Sequence, residues 1–375
     1  MTSREKIAAA FSADGAAESP VGICYENIFF RDHWEQLTSC PWWYSCAPDI
    51  SLQMAWRKDA FSFLSQDWML LPEFFSREER QRISLEVAAD AVRRRDAVTG
   101  EETTIRRAPK GGSPPKIPRP EKLAQATDEI ESLVASLAWD DPDRATADGR
   151  DDLARRLREE FPRAGYRFLT PPLSATVCLW GYEGMMTMMA DRPDLVRHAC
   201  RLLLDRCVRS VRASAALGAD IIWVEEAFLD AISPEMYRTM NLPFLRPLFE
   251  EIRSLGLMSI FYFGGNPAGK VDILLDSGAD CLAFEESKKG FSIDIAEMAQ
   301  RVRGRCALLG NLDAIHLLPR ASEEQLRAEI ARQIAAGRRN RNRFVMCIGS
   351  PVTPATSARR VRQFIEMSRE MASKR

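Results

Sequence analysis

Residues 218–226 read GADIIWVEE, residues 256–266 read GLMSIFYFGGN, and residues 278–286 read GADCLAFEE. Each contains a short apolar run without polar alternation, the pattern of a strand buried on both faces in a parallel sheet. Similar runs are expected to form strands at Ala175–Trp180, Cys306–Leu312 and Phe344–Ser350. Amphipathic stretches lie between or beside them: Asp194–Ala216, Pro234–Leu255, Pro267–Ser277, Ile293–Val302 and Ser322–Ala336. Strand and helix in alternation predict βαβ units. Five or more such units point to a closed barrel or a doubly wound sheet.

Helix punctuation agrees with this reading. Ser233-Pro234-Glu235 puts a capping residue before a proline at the first helical position. Ser322 with Gln325 forms a capping box, and Asp294 suits a helix N-terminus. Gly256, Gly278 and Gly337 read as glycines just past helix ends.

The first half is less regular. Val21–Tyr25 reads as a first barrel strand and Met69–Leu71 as another. Ala91–Thr99 and Glu102–Arg107 flank a Thr99-Gly100 turn and predict an antiparallel hairpin. Residues 108–120 are rich in Pro and Gly and predict a loop, while residues 138–162 predict a charged linker and helix. The chain is therefore read as one α/β barrel over 1–375, with an N-terminal elaboration and a hairpin, loop and charged insertion over 91–165.

Composition narrows the function. At 46% hydrophobic and 28% charged residues, the 375-residue chain is globular rather than disordered or collagen-like. A net charge of −1 argues against nucleic acid or anionic lipid as the main partner. No apolar run reaches the ~18 residues of a membrane span, and the N-terminus has no apolar signal core. Nine cysteines without a C-x-x-C spacing are expected to be reduced thiols in a cytoplasm. A homodimer, the commonest oligomer, is the expected assembly. With three histidines (His33, His198, His316), general acid–base work falls to other residue types.

In parallel α/β folds, functional groups gather at the C-terminal ends of strands. Glu225-Glu226 and Glu285-Glu286 end two of the runs, and side-chain alternation sends one of each pair inward. The competing reading makes these carboxylates caps and surface ion pairs. Gly264-Gly265-Asn266-Pro267 is a glycine-rich turn without the spacing of a phosphate loop. Trp180 and Met185, in a Met- and aromatic-rich stretch, suit either a pocket wall or helix packing. Pro41-Trp42-Trp43-Tyr44 suits a lid, an interface or a pocket wall, and Arg338–Arg343 a solvated basic loop. The catalytic candidates are Glu225, Glu226, Tyr262 and Glu285. The substrate-binding candidates are Tyr25, Trp180, Met185, Asn266, Asn311, Asp313 and Cys347.

Several of these segments together resemble the uroporphyrinogen decarboxylase superfamily. They are Ser3–Ala10, Gly218-Ala219-Asp220, Ile232-Ser233-Pro234, Gly278-Ala279-Asp280, Gly310-Asn311-Leu312-Asp313 and Gly349-Ser350-Pro351-Val352-Thr353-Pro354. The resemblance implies a TIM-type (β/α)8 barrel and an activity among decarboxylases and corrinoid- or thiol-linked methyl- and alkyltransferases. Two departures bear on the reaction. No arginine-rich R-Q-A-G-R motif stands near the N-terminus, where Arg31-Asp32-His33 is a poor substitute, which argues against uroporphyrinogen itself. The H-x-C-G-N motif of the zinc-dependent methyltransferases is replaced by Tyr262-Phe263-Gly264-Gly265-Asn266. Ser350 stands where a last zinc-binding Cys would fall, and Cys347 lies three residues earlier. No metal site is expected from these residues. The leading expectation is a methyl- or alkyltransferase acting on a small, partly apolar substrate such as a methoxylated aromatic, with a corrinoid protein as a partner. The alternatives are a decarboxylase with a Glu or Tyr proton donor, and a non-catalytic binding member.

Overall fold

A computed structural model describes residues 1–112, 120, 123–138, 141–227, 229–288 and 290–373. Its strands in chain order are β1 (Val21–Gly22), β2 (Trp68–Leu70), β3 (Ile83–Val87), β4 (Ala91–Asp96), β5 (Glu102–Arg106), β6 (Ala164–Leu169), β7 (Ile221–Glu226), β8 (Met258–Phe263), β9 (Cys281–Phe284), β10 (Ala307–Leu309) and β11 (Phe344–Cys347). Eight of them form one parallel sheet in the order β1-β11-β10-β9-β8-β7-β6-β2. Helices separate most of the consecutive strands, as in a TIM barrel.

The two ends of this sheet, β1 and β2, are joined mainly by side chains. Asp67 N–H donates to the Val21 carbonyl at 2.8 Å, and the Asp67 carboxylate accepts from Val21 N–H at 2.8 Å. Gln66 Oε1 accepts from Ile23 N–H at 3.0 Å, and Trp68 Nε1 donates to the Ile23 carbonyl at 3.0 Å. Ser3 Oγ and Arg369 hold the other oxygen of Asp67 at 2.7 and 3.0 Å. The same device recurs around the barrel floor. Asp220 accepts from Gly165 N–H in β6, and Asp280 from Ser259 N–H in β8. The aspartates of the two Gly-Ala-Asp segments thus satisfy amides at strand starts that would otherwise be orphaned.

Aromatic rings fill the lumen. Trp223 is buried and contacts Trp68, Tyr166, Phe168 and Tyr262 with ring centroids 5.7–5.8 Å apart. Gly22 makes room for this cluster, because a Cβ there would sit 2.2 Å from the Trp68 ring.

Some expected elements change. Residues 175–180 are helical, in Pro172–Ala175 and Val177–Asp191, and the strand of that unit is β6. Pro171-Pro172 opens the helical segment, and Leu179 and Trp180 are buried where this helix packs against other helices, so the apolar run there reflects helix packing. The hairpin forms as β4 and β5, and β3 adds a third antiparallel strand. The stretch 234–255 divides at Asn241 into Pro234–Met240 and Leu242–Ser254, and 267–277 is helical over Val271–Leu275 alone. Gly256 and Gly278 have φ of +72° and +85°. Gly337, by contrast, lies inside the helix Glu323–Arg339, where a Cβ would strike the Phe344 ring at 2.4 Å. The expected loop at 108–120 lies largely outside the described residues.

Asp67→Ala strips three hydrogen bonds from the β1–β2 junction and orphans a buried strand amide. It should lower the unfolding free energy by about 3 kcal/mol, on the scale of charge-assisted hydrogen bonds. Urea denaturation measures this. A loss below about 1 kcal/mol would mean that the junction does not depend on this carboxylate.

Candidate active site at the barrel mouth

Register and alternation set which strand-end groups face inward. Glu225 on β7 lies beside Tyr262 on β8, which lies beside Ala283 on β9, so these three share the luminal face. Tyr25 follows β1 on the far side of the barrel and reaches across, donating from Oη to Glu225 Oε1 at 2.9 Å. Its ring stacks on Phe168 at 6.0 Å and meets Tyr262 edge-on at 5.8 Å. Tyr25 has φ of +52°, a costly conformation for a bulky residue that turns the chain sharply into the helix Glu26–Asp32. Tyr262 Oη donates to the Gly349 carbonyl at 2.7 Å.

Burial pushes the Glu225 carboxyl above its ordinary pKa. The Tyr25 hydroxyl opposes that shift, and the neighbouring charge of Glu285 adds to it. Glu225 and Tyr25 remain half-buried at the mouth, within reach of a substrate. A partly desolvated carboxyl with a raised pKa is suited to deliver a proton.

A second group adjoins it. Lys288 Nζ pairs with Glu285 Oε1 at 2.8 Å and donates to Ser350 Oγ at 2.8 Å. Ser350 Oγ donates to Glu286 Oε2 at 2.5 Å. Glu285 Oε2 also accepts from Gly265 N–H at 3.0 Å. Burial raises the pKa of Glu286, whose Oε1 is sealed in with no hydrogen-bond partner among the described residues. Sequence reasoning missed Lys288, because residues 285–288 form no helix and no local periodicity marks the pair.

The other candidates are scattered. Glu226 points away from the lumen and is fully buried among helices. It accepts from Ser174 Oγ, from Asn241 Nδ2 at 2.6 Å and from Tyr237 Oη at 3.4 Å. Burial raises its pKa to about 7. Cys347 faces the lumen at the level of Gly22, and burial pushes its thiol pKa upward. Asn311 donates to the carbonyls of Glu285 and Ile293 and so braces the mouth. Asn266 and Asp313 accept from backbone amides of their own turns. Trp180 and Met185 lie buried in the helix Val177–Asp191, with Trp180 Nε1 donating to the Ala124 carbonyl at 3.1 Å. His33 is buried, its ring nitrogens at the carbonyls of Phe29 and Thr356.

The donor set does not fit the zinc site that the resemblance implies. Tyr262 and Gly264 occupy the motif positions, and no three His, Cys, Asp or Glu side chains among the described residues converge as a metal site. Among the described residues, no helix is long and apolar enough to cross a membrane, and all nine cysteines are free thiols.

A parallel eight-stranded barrel with carboxylates and tyrosines at the C-terminal ends of its strands places the protein among the TIM-barrel proteins. The family model described as uroporphyrinogen decarboxylase (URO-D) matches residues 114–371, and the chain belongs to that family. A uroporphyrinogen decarboxylase of Xanthomonas axonopodis pv. citri is 31% identical over 156 residues, covering 41% of this chain and 42% of that protein. The Thermus thermophilus enzyme of the same name is 27% identical over 227 residues, covering 58% and 63%. The matches thus span less than two thirds of these curated relatives. A methyltransferase from Methanosarcina mazei superposes over 99% of both chains with a TM-score of 0.67 at 16% identity, a likeness of fold.

Glu226 gives a pH-dependent prediction. Its pKa rises from an ordinary 4.5 to about 7 on folding, so between those values the folded state binds the extra proton. The resulting stabilisation is complete below 4.5 and is lost as pH rises through 7. In Glu226→Gln this dependence is absent, and the new amide can donate to Asn241 Oδ1, which has no partner among the described residues. From pH 5 to pH 8 the parent should lose up to about 3 kcal/mol relative to the variant. Parallel stability curves across that range would show that Glu226 does not titrate this way.

Proposed function

We propose that the protein transfers a methyl or small alkyl group from an oxygen of a small, partly apolar substrate, with Glu225 as the proton donor. The observation that carries this reading is the Tyr25–Glu225 hydrogen bond across an aromatic mouth, with the carboxyl held toward its protonated form. The carbon–oxygen bond breaks with its electron pair left on oxygen, and that oxygen needs a proton as it leaves. Glu225 supplies the proton to that atom, and Tyr25 orients the carboxyl. The rings of Tyr25 and Phe168 offer flat apolar surface to an aromatic substrate. A nucleophilic acceptor takes the methyl group, and a corrinoid presented by a partner protein supplies that chemistry when bound.

A second reading is decarboxylation, supported by the name of the curated relatives and by the same proton donor, which would protonate the carbon left by carbon dioxide. Among the described residues of the mouth, Lys288 is already held by Glu285 and so is not free to take a substrate carboxylate.

The test pairs methoxyaromatic donors with free cob(I)alamin or a thiol, and follows release of the phenol. Glu225→Gln should lower kcat by about 10²–10⁴-fold and remove the fall in rate at high pH that loss of the donor proton causes. Tyr25→Phe should lower it less. Labelled carbon dioxide from aromatic acids, without demethylation, would replace the first reading with the second. Undiminished turnover in Glu225→Gln would sink both assignments of that residue.

A further inference from the structure

A cavity of about 380 Å³ lies beside the barrel, away from the Glu225 carboxyl. The helices Glu26–Asp32 and Ile50–Phe63, the turn Trp42–Cys46 and the edge strand β5 enclose it. Its volume is in the range of small-molecule sites. Phe30, Trp34, Trp42 and Trp56 contribute aromatic surface to its wall.

The charges in the wall are unequal in kind. Arg31 is held by Asp32 and Arg107 by Glu35, while Arg106, also in the wall, is exposed to solvent. Arg57 lies over the Trp56 ring with its guanidinium carbon 4.2 Å from the centroid. It donates to the Gln53 carbonyl at 3.2 Å and to Gln53 Oε1, both neutral acceptors. No carboxylate of the described residues stands within ion-pair distance of it. A guanidinium has five N–H donors, so Arg57 keeps several for another acceptor. Burial pulls its pKa down to about 9, against the opposing charge of Glu26 nearby. Glu26 itself is buried and is satisfied by Gln66 Nε2 and Leu70 N–H. A half-buried cation with no ion-pair partner among the described residues, lying over the Trp56 ring and opening onto an aromatic cavity, is placed to take an anion.

We propose that this cavity is a binding site for a planar aromatic carboxylate, whose ring lies among the tryptophans and whose carboxylate pairs with Arg57. The fork of the guanidinium matches a carboxylate through two parallel hydrogen bonds. The ring supplies apolar burial and edge contacts with the indoles. The site does not rest on the reading of the barrel mouth. It adjoins that mouth, however, because Glu26 follows Tyr25 directly in the chain and lines the cavity.

Binding of 4-methoxybenzoate and of its neutral analogue 4-methylanisole is measured by calorimetry on the full chain. The carboxylate should bind about tenfold tighter or better, and Arg57→Gln should erase that difference while Arg57→Lys keeps part of it. A second measurement needs no variant. Cys46 lines the cavity, whereas Cys178 is exposed elsewhere. Bound 4-methoxybenzoate should protect Cys46 but not Cys178 from alkylation, read by peptide mass spectrometry. Equal affinity for the two probes, or no binding of either, overturns the proposal. So does carboxylate binding that survives Arg57→Gln and leaves Cys46 unprotected, since that ligand would sit at the mouth. Glu225→Gln should bind the probe as the parent does, so failure of the catalytic reading and failure of this one are separable.

Discussion

The barrel depends on how its two end strands are closed. β1 is two residues long and β2 three, too short to hold each other through a full ladder of backbone bonds. Asp67, Gln66 and Trp68 replace the missing ladder with side-chain hydrogen bonds to the backbone of residues 21–23. That closure places Tyr25 opposite β7. The hydrogen bond from Tyr25 to Glu225 joins residues 200 positions apart and exists because the sheet is drawn into a ring.

The floor and the mouth divide the work of the polar groups. Asp67, Asp220 and Asp280 saturate strand amides at the floor, and the ordinary preference of buried polar groups for partners explains all three. At the mouth, Glu225 and Glu286 are desolvated without a full set of compensating bonds, and both are shifted toward the protonated form. Groups held this way concentrate where chemistry occurs. Glu226 shows that a raised pKa alone does not mark such a place, since it is fully enclosed by Ser174, Tyr237 and Asn241.

The barrel is that of the URO-D family, while Tyr262 and Gly264 stand at the positions where the motif implied by the resemblance would put zinc ligands. With acid–base groups and aromatic surface at the mouth, the chemistry of the proposed reaction rests on proton delivery by Glu225. The cavity around Arg57 adds a separate point of recognition, built largely from the N-terminal helices.

The sequence by itself determined the later strand–helix units, because apolar runs and capping residues such as Ser233, Asp294 and Ser322 are local signals. It also placed Glu225 and Glu285 at strand ends. It did not separate a helix from a strand at 175–180, since a short apolar run suits either. Nor did it reveal that Glu226 faces the helices, or that Lys288 and Ser350 bind the mouth carboxylates. The three-stranded sheet, the pairing of Tyr25 with Glu225 and the exposure of Arg57 to an aromatic cavity were decided by tertiary structure alone. Each brings together residues remote in the chain, and no local pattern encodes which distant side chain will occupy the other half of a hydrogen bond or a cavity wall.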